Sequence, residues 1–221
     1  MHGKTLVLRR PLIAVLALLL VAGLLMTPQR AVAQAIRLVA LGDSLTAGYL
    51  LPADAAFPVV LERALKARGL NVTVANAGVS GDTTAGGLAR LDWSVPDGTQ
   101  GVILELGAND ALRGMDPRMA EANLDAIITR LKERRIKVLL AGMYAPRNNG
   151  PEYVAAFDGM YPRLARKHGL PLYPFFLDGV TGVAGMTLAD QLHPSRQGVE
   201  TVVQRILPTV ETFVREIAAG R

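Results

Sequence analysis

The chain has 221 residues, half of them apolar, with 24 Lys plus Arg against 19 Asp plus Glu and no cysteine. The only charges in the first 33 residues are basic (Lys4, Arg9, Arg10 and Arg30), so the remaining 188 residues carry 20 basic against 19 acidic side chains. That near-neutral balance gives no support to nucleic-acid binding, and without cysteine the stability must come from packing, which a domain of this length can supply.

Lys4, Arg9 and Arg10 precede an uncharged apolar run from Pro11 to Met26, and Ala31-Val-Ala33 has the small-residue pattern of a cleavage site. Basic, apolar and small segments in that order describe a secretory signal peptide. The apolar run is also shorter than the roughly 20 residues of a spanning helix. The expectation is a cleaved leader over 1–33, a single domain over 34–221, export to the periplasm or medium, and no stable membrane insertion.

Beyond the leader, strand-like and helix-like segments alternate. Ile36–Leu41 is a short apolar run ending at Gly42, and Phe57–Arg68 has apolar residues at helical spacing up to Gly69. Val72–Ala75 predicts a second strand, followed by Asn76-Ala-Gly78. Thr83–Leu91 predicts a short helix with Ser80 as a possible cap, and Val102–Leu106 a third strand. Asp116 and Pro117 open the clearest helix, whose apolar face is Leu124, Ile127, Ile128 and Leu131. Ile136–Ala141 predicts a fourth strand, Tyr153–His168 a helix closed by Gly169, and Leu172–Phe176 a fifth, weaker strand. A last helix runs from about Ser195 to Ile217, with a kink or break expected near Pro208. Apolar strands alternating with helices imply a parallel sheet covered on both faces, a three-layer α/β/α sandwich of about five strands. Functional loops then lie at the carboxyl ends of the strands.

Few residues are left to carry chemistry there. After residue 33 the only histidines are His168 and His193. His168 sits in Arg-Lys-His-Gly at a helix end, where a basic side chain serves as a cap. His193 lies in Asp190-Gln-Leu-His193, where the carboxylate three residues back can orient the ring and fix its tautomer. Of four serines, Ser195 reads as a cap, Ser94 sits in an ordinary turn, and Ser80 is less favoured than Ser44. Ser44 directly follows the first strand in Gly42-Asp-Ser-Leu-Thr-Ala-Gly48, where flanking glycines permit a sharp turn that exposes the hydroxyl. Gly78 and Asn109 follow the second and third strands and offer a backbone N–H and an amide to a developing oxyanion. Asp43 either supports the nucleophile turn or merely accepts backbone hydrogen bonds.

These four segments, Gly42-Asp-Ser-Leu, Asn76-Ala-Gly78, Gly107-Ala-Asn109-Asp and Asp190-x-x-His193, resemble in order the four sequence blocks of the SGNH (GDSL) hydrolases. The longer strings around them are similar to the thioesterase I/lysophospholipase/arylesterase branch. The resemblance implies Ser44 as nucleophile, His193 as general base and Asp190 as its orienting partner. It also implies an oxyanion hole of the Ser44 and Gly78 N–H groups with the Asn109 side chain. Ala111-Leu-Arg-Gly-Met115 resembles the family's acyl-chain loop, with Ala111 where glycine is frequent, so Leu112 and Met115 are expected to bind substrate. Topology adds Tyr144, Pro146 and the stretch 148–150 after the fourth strand. The expected activity is hydrolysis of carboxylic esters, namely aryl esters, acyl thioesters and lysophospholipids, with a carbohydrate O-deacetylase on the same fold as the alternative. No metal or organic cofactor is implied. A nucleotide-binding module is disfavoured because the loop after the first strand has no P-loop lysine and places Asp43 where phosphate would sit.

Overall fold

The computed structural model describes residues 34–220. The leader expected over 1–33 lies outside them. Five strands, β1 (Ile36–Gly42), β2 (Val72–Gly78), β3 (Gly101–Glu105), β4 (Lys137–Ala141) and β5 (Leu172–Tyr173), form one parallel sheet in the order β2-β1-β3-β4-β5. Parallel neighbours cannot be joined by a hairpin, so helices cross over the faces of the sheet. The longer helices are α2 (Phe57–Ala67), α6 (Pro117–Glu133), α7 (Pro151–His168) and α8 (Arg196–Ala219). Short ones are α1 (Ser44–Ala47), α3 (Thr84–Ala89), α4 (Leu91–Ser94) and α5 (Ala108–Leu112). Helix α2 packs against α8, whereas α6 packs against α3 and α7. This is the expected three-layer sandwich, and from Ala35 onward the chain forms one compact unit.

Periodicity explains how the layers close. Leu124, Ile127, Ile128 and Leu131 fall on one face of α6 and are fully buried, while Asp116 caps its first turn by accepting from the Arg118 N–H at 2.9 Å. Burying each such side chain is worth about 1.5–3 kcal/mol relative to leaving it in water. Residues of β3 are buried throughout, as a central parallel strand requires, whereas the edge strand β2 alternates over Val72–Ala75 and is not buried beyond it.

Five local expectations are corrected. The stretch 83–91 is divided into α3 and α4, and the cap of α3 is Thr83, whose side chain accepts from the Gly86 N–H; Ser80 is exposed in the preceding turn. Strand β2 extends to Gly78, because its last residues pair in register with the end of β1. Strand β5 stops at Tyr173, since Pro174 has no N–H for the ladder. Helix α8 runs unbroken through Pro208, held by buried Val199, Val202, Val203 and Ile206 before it and Val210, Phe213, Val214 and Ile217 after it. Packing on both sides outweighs the one backbone hydrogen bond that proline forfeits.

Pro208→Ala restores that bond and gives back only part of the gain through a freer unfolded chain. Urea unfolding of this variant is expected to show about 2 kcal/mol of added stability; unchanged or lower stability would mean that the helix is adapted to its proline.

Candidate active site

The sheet order places a topological switch between β1, whose next crossover runs to β2 on one side, and β3 on its other side. Ligand crevices open at such a point, beyond the carboxyl ends of the strands. Ser44 follows β1 and Asn109 follows β3, so both stand there. Gly42 pairs in register with Gly78 on one side and Glu105 on the other. A Cβ on Gly42 would collide with Thr46 and Glu105, and one on Gly78 would collide with the Ala47 backbone. The two glycines thus let the nucleophile turn sink between its neighbouring strands. Asp43 caps α1 by accepting from the Leu45 N–H at 2.9 Å, and Gly48 closes the turn in the left-handed conformation.

His193 comes from the loop before α8. Its Nε2 lies 2.9 Å from the Ser44 Oγ, and its Nδ1 lies 2.6 Å from the Asp190 Oδ2. The loop makes this contact by a tight turn: Asp190 Oδ1 accepts from the Leu192 and His193 N–H groups, with Gln191 at φ +58°. The Leu192 N–H comes first, then the His193 ring, then the His193 N–H, in lowering the Asp190 carboxyl to about 2. Asp190 is therefore a fixed anion beside Nδ1, and with a proton on Nδ1 the ring would turn Nε2 as an acceptor toward the Ser44 hydroxyl. The Tyr49 ring lies against the imidazole with centroids 4.4 Å apart, a neighbour that motif spacing did not disclose.

Two of the three expected oxyanion donors are engaged. Gly78 N–H donates to Asn76 Oδ1 at 3.0 Å, and Asn109 Nδ2 donates to Asp43 Oδ2 at 3.0 Å and to the Asp82 carbonyl at 2.9 Å. The Ser44 N–H belongs to the first turn of α1, where a helix leaves donors without intrahelical partners. Asp43 thus does more than accept a backbone hydrogen bond: it caps the turn that carries Ser44 and also holds the Asn109 amide.

A cleft of about 620 Å³ opens on Ser44, Asn109 and His193. Its walls are mostly apolar, with Leu45, Met143, Phe175, Leu177 and Leu192 among them. Leu112, Tyr144 and Pro146, expected near the substrate from sequence, also line it. Tyr144 stacks on Phe175 at 4.5 Å, and the Arg147 guanidinium lies over the Tyr144 ring, 5.4 Å from its centroid. Met115 is not in the cleft lining; its carbonyl accepts from the Tyr153 hydroxyl at 2.8 Å. The stretch 148–150 also stays out of it, and Asn149 instead donates to the Ala111 carbonyl. His168 lies elsewhere, 2.6 Å from Asp125 at the end of α7. Among the described residues no group of three or more His, Asp and Glu side chains is placed to hold a metal ion, and no helix is long and apolar enough to cross a membrane.

The fold and this hydrogen-bonded chain define a serine hydrolase of the α/β/α sandwich type. Residues 40–200 match the model of the GDSL-like lipase/acylhydrolase family. The esterase TesA of Pseudomonas aeruginosa is 38% identical over 86% of this chain and 94% of its own. The thioesterase 1/protease 1/lysophospholipase L1 of Escherichia coli K12 is 39% identical over 72% of this chain and 76% of its own. The crystal structure of AlinE4, an SGNH-hydrolase family esterase, superposes with a TM-score of 0.69 at 43% identity, covering 81% of this chain and 96% of that one. The chain belongs to the GDSL-like lipase/acylhydrolase family and is a carboxylic ester hydrolase.

Beneath the nucleophile lies a buried carboxyl that sequence reasoning did not single out. Glu105 accepts from the Thr46 hydroxyl at 2.8 Å, and its other oxygen is buried without a partner. Burial first, and the neighbouring Asp43 second, push the Glu105 carboxyl well above its ordinary range, while burial raises Asp43 to about 6. A raised native pKa means that the native state holds protons the unfolded chain has released, so stability declines as pH rises through that window. Glu105→Gln mimics the neutral acid and removes its share of the decline. Urea unfolding at pH 5 and pH 8 is expected to show the variant gaining on the wild type at the higher pH. A stability difference independent of pH would mean that Glu105 is not held protonated.

Proposed function

We propose that the protein is an exported serine esterase and thioesterase that cleaves aryl esters, acyl thioesters and lysophospholipids through an acyl-enzyme on Ser44. The observation that carries this reading is the chain Ser44–His193–Asp190 opening onto an apolar cleft. His193 Nε2 takes the Ser44 proton as Oγ attacks the acyl carbonyl, and the imidazolium that forms is held by Asp190. The leaving alcohol or thiol departs with the proton from His193. Water then enters, loses its proton to His193 and releases the acid.

Negative charge on the carbonyl oxygen is stabilised by the Ser44 and Gly78 N–H groups and by Asn109. A full charge attracts the Gly78 and Asn109 donors in competition with the oxygens that hold them at rest, and such bonds often tighten only in the reacting complex. The apolar walls suit an acyl chain or an aryl ring, and the names esterase and thioesterase/lysophospholipase among the relatives support the same substrate class. Export follows from the basic, apolar and small-residue order of residues 1–33; intact mass of the secreted protein should lack those residues, and their retention would overturn cleavage.

Hydrolysis of p-nitrophenyl esters from acetate to palmitate, with Ser44→Ala beside the wild type, tests the reading. Activity rising toward medium chains and vanishing in the variant is expected; activity confined to acetate would favour a deacetylase, and activity independent of Ser44 would overturn the mechanism. Asn109→Ala should lower kcat by roughly 10²–10³, the usual loss for one oxyanion donor.

A further inference from the structure

Arg90, at the end of α3, is almost wholly buried, with 5% of its surface exposed. Its guanidinium is directed at the segments that carry the oxyanion donors. Nη2 donates to the Gly42 carbonyl at 2.8 Å, Nη1 to the Ala77 carbonyl at 2.8 Å and the Ser94 hydroxyl at 3.0 Å, and Nε to Asp82 Oδ2 at 2.5 Å. The Ala77 carbonyl belongs to the same peptide group as the Gly78 N–H. The backbone carbonyl of Asp82 accepts from Asn109 Nδ2. Gly42 is the last residue of β1, two before Ser44.

A buried guanidinium is costly unless its fork is matched, and here four hydrogen bonds from it end on fixed acceptors. Those acceptors bear on each expected donor: the nucleophile turn through Gly42, the Gly78 peptide through Ala77, and Asn109 through Asp82. We infer that Arg90 is a positioning residue for the oxyanion hole, holding its three donors in register from below. It also polarises the Ala77–Gly78 peptide, because a cation on the carbonyl withdraws charge and makes the N–H at the other end a stronger donor. A guanidinium that only tied α3 to the sheet would need neither of these peptides in particular.

The inference rests on the assignment of Gly78 and Asn109 as oxyanion donors, so the test separates the two. Kinetics on a p-nitrophenyl ester would compare wild type, Arg90→Lys, Asn109→Ala and the double variant, each checked for cooperative thermal unfolding. Arg90→Lys keeps the charge and loses the fork. Its kcat is expected to fall at least about tenfold with KM within about threefold, a lesser loss than removal of a donor outright. In the Asn109→Ala background the same change should cost clearly less, because groups acting as a unit are not additive. Full kcat in folded Arg90→Lys, or a loss that simply multiplies with that of Asn109→Ala, would overturn the role of Arg90. Unchanged kcat in Asn109→Ala would instead overturn the assignment of the hole. If Arg90→Lys does not fold, Asp82→Asn weakens the guanidinium's anchor and leaves the Asp82 carbonyl in place. It should lower kcat at constant KM, and unaltered kcat there would sink the proposal.

Discussion

The site depends on one register: Gly42 at the end of β1 faces Gly78 at the end of β2 and Glu105 at the end of β3. Parallel strands finish at the same edge of a sheet, so the segments leaving these three strands must share the crevice above it. The absence of side chains at Gly42 and Gly78 lets the nucleophile turn descend until the Asp43 carbonyl and Ala47 meet the Gly78 backbone. Any Cβ at either position would lift the turn, and with it the Ser44 hydroxyl that now lies 2.9 Å from His193 Nε2. The geometry of the site is thus an extension of β-sheet register, built on the buried ends of β1 and β3.

Below that turn the protein concentrates polar groups at a depth where they are costly. Glu105, Thr46, Asp43, Asp110 and Arg90 are all buried, and each is committed to a hydrogen bond with a residue distant in sequence. Asp110 takes the Thr84 hydroxyl and N–H and so ties the segment after β3 to the start of α3. Such a network gains little net stability over apolar packing, but each bond has a direction, and apolar contact has none. Directionality is what donors aimed at a developing charge require. The raised Asp43 and Glu105 carboxyls are the energetic cost of that arrangement.

Around the crevice the constraints loosen. Leu112, Tyr144 and Leu192 are exposed at the cleft wall, whereas the segment after β3 is tethered by Asn149 on the Ala111 carbonyl and Tyr153 on the Met115 carbonyl. The loop that carries Asp190 and His193 is more exposed than the turn that carries Ser44, and Asp190 accepts from that loop's own backbone.

Local chemistry determined much of this in the sequence alone. Apolar periodicity predicts α6 and the central strands, because burial of apolar surface is the main force that places them. Glycine punctuation marks the nucleophile turn, and the scarcity of His and Ser leaves few choices for a triad. Other features were illegible in the sequence. Pro208 reads as a break, yet α8 continues because buried residues flank it. Ser80 reads as a cap, yet Thr83 has the right offset from the Gly86 N–H. Met115 reads as a pocket residue, yet its carbonyl is claimed by Tyr153. Arg90 and Glu105 carry no local signal, since an arginine late in a short helix and a glutamate in a strand gain meaning only from what surrounds them. Residue type and spacing fix which groups are available for chemistry; only packing across 27 to 149 residues of chain, as from Asp82 to Asn109 and Ser44 to His193, decides which of them meet.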